Sequence, residues 1–174
     1  MRYFLNKPTT GKLEKKYILD VIKSNWLSSN GKHTIEFEKK FSRFLGLNYG
    51  LAVQSGTSAI HVALKAAGVG KNDNVITPNF TCISNLSCIS QCNANPVIVE
   101  IENETLGLDY ESVKKAVRLY KPKVLQLVHV YGYPARDTKK IIKLCKKNKI
   151  IVIEDSSEAF GSKIMEKILE HLGI

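Results

Sequence analysis

Lys123-Val124-Leu125-Gln126-Leu127-Val128-His129-Val130 and Ile150-Ile151-Val152-Ile153-Glu154 are two short, nearly unbroken apolar runs. Between them, Asp137 to Lys147 carries Ile141, Ile142 and Cys145 at helix spacing. Apolar runs of roughly four to eight residues joined by an amphipathic helix predict parallel strands connected by a crossover. The same alternation extends upstream. Pro96-Val97-Ile98-Val99-Glu100-Ile101 predicts a strand and Tyr110 to Tyr120 a helix. Val75-Ile76-Thr77 predicts a strand, Pro78-Asn79-Phe80-Thr81 a turn, and about Ile83 to Gln91 a helix. Gly50-Leu51-Ala52-Val53-Gln54 predicts one more short strand, turning through Ser55-Gly56-Thr57-Ser58 into a helix that Gly68 and Gly70 end. Further toward the N-terminus, helices over about Leu13–Asn25 and Thr34–Leu45 are separated by the breaker Ser28-Ser29-Asn30-Gly31. The expected fold class is α/β, a mostly parallel sheet with helices on both faces. A short amphipathic helix is expected near the end, with Ile164, Ile168, Leu169 and Leu172 as its apolar face.

The composition suits such a domain. At 174 residues, 44% hydrophobic and 24% charged, the chain can bury one full core. No apolar run reaches the roughly 20 residues of a membrane helix, and Met1-Arg2-Tyr3-Phe4-Leu5-Asn6-Lys7 lacks the apolar core of a signal peptide. A cytoplasmic protein is expected. The four cysteines, Cys82, Cys88, Cys92 and Cys145, form no CxxC pair and have no histidine at metal-ligand spacing. They are expected to be buried thiols, with no metal site. The net charge of +10 comes from lysines scattered over predicted helix faces, without interleaved aromatic residues. A nucleic-acid partner, or a basic regulatory role on this scaffold, is therefore not favoured. Excess positive charge also suits recruitment of a phosphate-bearing substrate.

In parallel sheets of this kind ligands bind outside the carboxyl ends of the strands. That rule selects residues 55–58, 78–82, 129–132 and 155–161. Ser55-Gly56-Thr57-Ser58 has the small residues, hydroxyls and helix-start amides of an anion cradle, and equally those of an ordinary capped helix. No GxGxxG and no P-loop lysine accompanies it. Asp155 leaves a buried apolar strand, where a carboxylate needs a cation or hydrogen-bond donors unless it is solvated. His129 is expected to be structural, bonded to backbone at a strand end.

Taken together, Ser55-Gly56-Thr57-Ser58-Ala59, Pro78-Asn79-Phe80-Thr81, Asn93-Ala94-Asn95-Pro96-Val97, His129-Val130-Tyr131-Gly132 and Glu154-Asp155 stand in the order and spacing of DegT/StrS-type sugar aminotransferases. Trp26-Leu27-Ser28-Ser29-Asn30-Gly31 and Phe37-Glu38 extend the resemblance over nearly the whole chain. It implies the fold of aspartate aminotransferase and the cofactor pyridoxal 5'-phosphate (PLP). On that resemblance residues 1–174 make up the large PLP-binding domain, with a helical segment over about 1–46. The smaller C-terminal domain would fall outside.

The resemblance also assigns roles. Gly56, Thr57 and Ser58 would hold the PLP phosphate, and Asp155 would pair with the pyridinium nitrogen. Glu158 matches a Gln or Glu near the phenolic oxygen. Cys82 stands where many members stack an aromatic residue on the ring, so stacking should be weaker here. The lysine that holds PLP as a Schiff base would follow the stretch matching Gly161, beyond Ile174. Lys163 and Lys167 do not match it, so no catalytic residue is expected within the chain. The implied activity is transfer of an amino group, typically from glutamate, to a nucleotide-linked keto-deoxysugar. Members with this activity serve polysaccharide biosynthesis as homodimers. Glu158-Ala159-Phe160-Gly161 looks most like perosamine-type members. A sugar dehydratase or a noncatalytic PLP-binding remnant is the alternative.

Overall fold

The computed structural model describes residues 8–164 and 167–168. These fall into two compact units, one of residues 8–44 and 48–52, the other of 45–47 and 53 onward.

The first unit holds helices α1 (Lys12–Ser24) and α2 (Lys32–Leu45). Glu14 reaches back to the Gly11 amide at 2.6 Å to start α1, and Asn25 ends it in the left-handed conformation at φ 56°. The Asp20 carboxylate receives both Lys32 Nζ at 2.6 Å and His33 Nε2 at 2.7 Å, tying the two helices together. Glu38 of α2 accepts the Ala52 amide at 2.8 Å. No residue of α1 is buried, and Leu13, Ile18, Leu19 and Ile22 all lie exposed. A groove of about 500 Å³ between the helices is lined by Tyr17, Ile18, Val21, Ile22 and Phe37 among others.

The second unit is built on a four-stranded parallel sheet of order β2-β1-β3-β4. Its elements run α3 (Gly56–Ala66), β1 (Asn74–Pro78), α4 (Ile83–Gln91), β2 (Asn95–Val99), α5 (Tyr110–Tyr120), β3 (Val124–Val128), α6 (Thr138–Lys147) and β4 (Ile151–Asp155). Alternation along the strands sends Val75 and Val124 to one face, where Ile60 and Leu64 of α3 and Cys88 and Ile89 of α4 cover them. Ile76, Val97, Leu125, Leu127 and Val152 face the other way, against α5 and α6. The helices after β1 and after β2 thus lie on opposite faces. This opens a topological switch crevice between the carboxyl ends of β1 and β3.

Several expectations need correction. Residues 50–54 form no strand, because no neighbouring strand lies beside them among the described residues to complete a ladder. The β2 ladder stops at Val99, and Ile101 instead makes one isolated antiparallel bridge with Leu108. The β3 ladder stops at Val128, and Val130–Gly132 turn as a 3-10 segment with Tyr131 at φ 54°. Lys163–Ile164 and Lys167–Ile168 pair as a two-residue antiparallel ladder, β5 and β6, rather than as a helix. So short an isolated helix would be marginal in water, whereas β-branched isoleucines suit a ladder. Residues 169–172 lie outside the described residues. Three cysteines are buried as expected; Cys82 is exposed, because it caps α4 at the carboxyl edge of the sheet.

Candidate functional site

Each strand of the four-stranded parallel sheet delivers its following loop to the carboxyl edge. Helix α3 starts at the same edge, with Ser55 at its N-cap. The Ser55 hydroxyl accepts the Ser58 amide at 3.2 Å and lies 3.1 Å from the Ser58 hydroxyl. That cap uses one of the amides at the helix start and leaves those of Gly56 and Thr57 without intrahelical acceptors. Gly56 and Thr57 are exposed and Ser58 half-buried, so the positive end of the α3 dipole is open to an anion.

Asp155 is the last residue of β4 and is half-buried. Its Oδ1 accepts the Ser157 amide at 3.1 Å and the Ser157 hydroxyl at 2.6 Å. Its Oδ2 accepts Asn85 Nδ2 at 2.8 Å. The same Ser157 hydroxyl lies 3.5 Å from where a Cβ on Gly56 would stand. The Ser157 hydroxyl therefore lies between the start of α3 and the acid at the end of β4. A group with an anionic end and a protonated ring nitrogen finds the matching donors and acceptor on these residues.

Cys82 and Glu158 belong to the same edge. The Ser84 hydroxyl, and then its amide, pull the Cys82 thiol below its ordinary value, while partial burial and the charges of Asp155 and Glu158 push against them. Glu158 Oε2 accepts the Tyr131 amide at 2.8 Å, which supports the left-handed backbone at Tyr131. Across the switch crevice the Phe80 and Tyr131 rings meet edge to face, with centroids 6.3 Å apart. The structure thus brings Gly56, Asp155, Cys82 and Glu158 to one edge, with Thr57 and Ser58 on the same helical turn as Gly56.

His129 sits on the opposite face, 1% exposed. Its Nδ1 accepts the Ala135 amide at 3.1 Å, so Nε2 carries the proton and faces Glu154 Oε1 at 3.3 Å. Its own amide donates to the Asp155 carbonyl at 3.1 Å. His129 is a packed strand-end histidine holding β3 to β4, away from the open edge.

Sequence reasoning did not single out Asn85, Ser157 or Thr81. Asn85 had a signal: it shares the spacing i, i+3, i+4, i+7 with Cys88, Ile89 and Cys92, a lone amide on an apolar helix face. No cluster of three His, Cys, Asp or Glu among the described residues is placed to hold a metal, and none of their helices is long and apolar enough to cross a membrane.

Comparison with known proteins adds relatives to this geometry. The profile of the DegT/DnrJ/EryC1/StrS aminotransferase family matches residues 8–173. A GDP-perosamine synthase of Vibrio cholerae is 38% identical over 161 residues, covering 92% of this chain and 43% of the synthase. An aminotransferase of Psychrobacter cryohalolentis superposes with a TM-score of 0.88 at 30% identity, over 96% of this chain and 42% of that one. An E. coli GDP-4-keto-6-deoxy-D-mannose-3-dehydratase with bound hydrated PLP superposes with a TM-score of 0.87 at 27% identity, over 95% of this chain and 43% of the dehydratase. The chain spans less than half the length of the curated relatives it matches.

Proposed function

The chain belongs to the DegT/DnrJ/EryC1/StrS aminotransferase family, and from that premise we propose that it forms the PLP-binding part of an enzyme of the GDP-perosamine synthase kind. The reaction moves an amino group, from glutamate, to a nucleotide-linked keto-deoxysugar. The observation that carries this is that the Ser157 hydroxyl, bonded to Asp155, lies beside the Gly56 turn. That proximity supports reading the two as the phosphate-binding turn and the acceptor for the ring nitrogen at one sheet edge.

Bound PLP supplies an electron sink for the carbon that exchanges its amino group. The amides of Gly56 and Thr57 and the hydroxyls of Thr57 and Ser58 would hold its phosphate at the positive end of α3. Asp155 would hold the ring-nitrogen proton. Cys82 would lie against the ring face with less contact area than an aromatic side chain. Glu158 has one oxygen engaged by the Tyr131 amide, which leaves Oε1 for the phenolic side of the ring. No lysine among the 174 residues fills the family's Schiff-base position on this assignment, so the chain alone binds the cofactor without completing transfer. The exposed apolar face of α1 made by Ile18, Leu19 and Ile22 supports pairing with a second copy.

PLP binding followed by absorbance tests the cofactor assignment. The chain should bind, and Asp155→Asn should bind roughly tenfold more weakly, the scale of a hydrogen bond to a charged group. Equal binding by the two would reject the role of Asp155. Incubation with glutamate, PLP and GDP-4-keto-6-deoxymannose should give no amino sugar. Product formation would show that a lysine within the chain does the chemistry. A deoxygenated sugar in place of an aminated one would favour the dehydratase alternative.

A further inference from the structure

An ionised carboxylate offers about four lone-pair sites on its two oxygens. In Asp155 the two on Oδ1 are taken by the Ser157 amide and hydroxyl. One of the two on Oδ2 is taken by Asn85 Nδ2 at 2.8 Å, leaving one open. Asn85 is 0% exposed, on the first turn of α4, far from Asp155 in sequence. Its amide must present nitrogen to Asp155, because the carboxylate has no proton to give. The second amide proton goes to Thr81 Oγ1 at 3.0 Å. Turning the amide over would lose the bond to Asp155, whereas the Thr81 hydroxyl can donate to the oxygen as well as accept from the nitrogen.

The backbone of Asn85 is held as well, since Gln126 Nε2 in the middle of β3 donates to its carbonyl at 3.3 Å. Asn85 Oδ1 has no hydrogen-bond partner among the described residues. A buried carbonyl oxygen left bare is unfavourable, so the orientation is set by the bond from the nitrogen to Asp155. Nothing in apolar packing calls for an asparagine here, where a leucine would bury more apolar surface with no bare oxygen.

We propose that Asn85 is a positioning residue for Asp155: it fills one lone pair of Oδ2 and fixes the direction of the last open one toward a protonated ring nitrogen. This rests on the PLP assignment above and adds a second residue to the acid's function. With Asn85 gone, the carboxylate has two open sites, turns more freely and spends them on water, so the ring nitrogen loses its preset acceptor.

The test uses the whole chain with PLP labelled at the ring nitrogen. The nitrogen-15 shift, followed against pH, reads the midpoint at which the bound ring loses its proton. In Asn85→Leu that midpoint should fall by about one unit and PLP should bind roughly tenfold more weakly. In an Asp155→Asn background the same substitution should change neither quantity. Asn85→Ser, whose hydroxyl is too short to reach Oδ2, should reproduce the fall and serves if the leucine variant does not fold by circular dichroism. An unchanged or raised midpoint, or an equal drop in the Asp155→Asn background, overturns the proposal. Failure of the unsubstituted chain to bind PLP would instead overturn the cofactor assignment on which it rests.

Discussion

Cys82 and Cys145 are the same residue type in opposite settings, and their chemistry follows from place. Burial alone pushes the Cys145 thiol up to about 11, and burial also raises Cys88. Cys82 is exposed, and the Ser84 hydroxyl draws it below its ordinary value. The thiolate is the reacting form, so at neutral pH one thiol per folded chain should react quickly with Ellman's reagent, and Cys82→Ser should remove that phase. Four thiols reacting at one rate would contradict the burial described here. From sequence, Gly56, Thr57 and Asp155 stood out as candidates because strand-end loops carry the ligands of parallel sheets, and the structure brings the three to one edge. Asn85 and Ser157 did not stand out, because each has meaning only through a partner distant in the chain or at a turn whose shape the residue letters do not specify.

Helix boundaries were the most legible level. Helices α4 and α5 begin and end where the periodicity predicts, and Asp109 caps α5 by accepting the Ser112 amide at 2.8 Å. Strands were less so, since a ladder ends where its neighbour ends; residues 50–54 have the composition of a strand and, among the described residues, no neighbour to make them one. Asp137, at the start of α6, carries a pH-dependent contribution to stability. Lys140 Nζ at 2.8 Å, and then Arg136 opposed by burial, hold its carboxyl below the ordinary range. A carboxyl lowered in the folded state stabilises above its unfolded pKa of about 4, and the contribution is lost as pH falls through the lower folded value. Asp137→Asn should therefore cost about 1 kcal/mol at pH 7, discounted for the exposed Lys140. The gap between variant and parent in urea denaturation should narrow below about pH 4 and then close. A gap that stays constant down to pH 2 would mean that the loss is not electrostatic.

For the whole molecule, α1 presents Ile18, Leu19 and Ile22 on one face to solvent in a single chain. If a second copy covers that face, sedimentation should show a dimer, and Ile18→Asp should shift the population to monomer. A monomer at all concentrations for the parent would remove the homodimer from the proposed function. The alternation of apolar runs and helices by itself determined an α/β domain with both sheet faces covered, because a strand without polar positions must be buried on two sides. It also determined the family resemblance, carried by short motifs in fixed order. Only the tertiary structure decided the strand order β2-β1-β3-β4, since any of these crossovers reads alike in one dimension. With that order came the crevice between β1 and β3, the approach of Ser157 to the Gly56 turn, and the bond from Asn85 to Asp155. Those are pairings across tens of residues, fixed by how the helices pack on the sheet rather than by any local pattern in the chain.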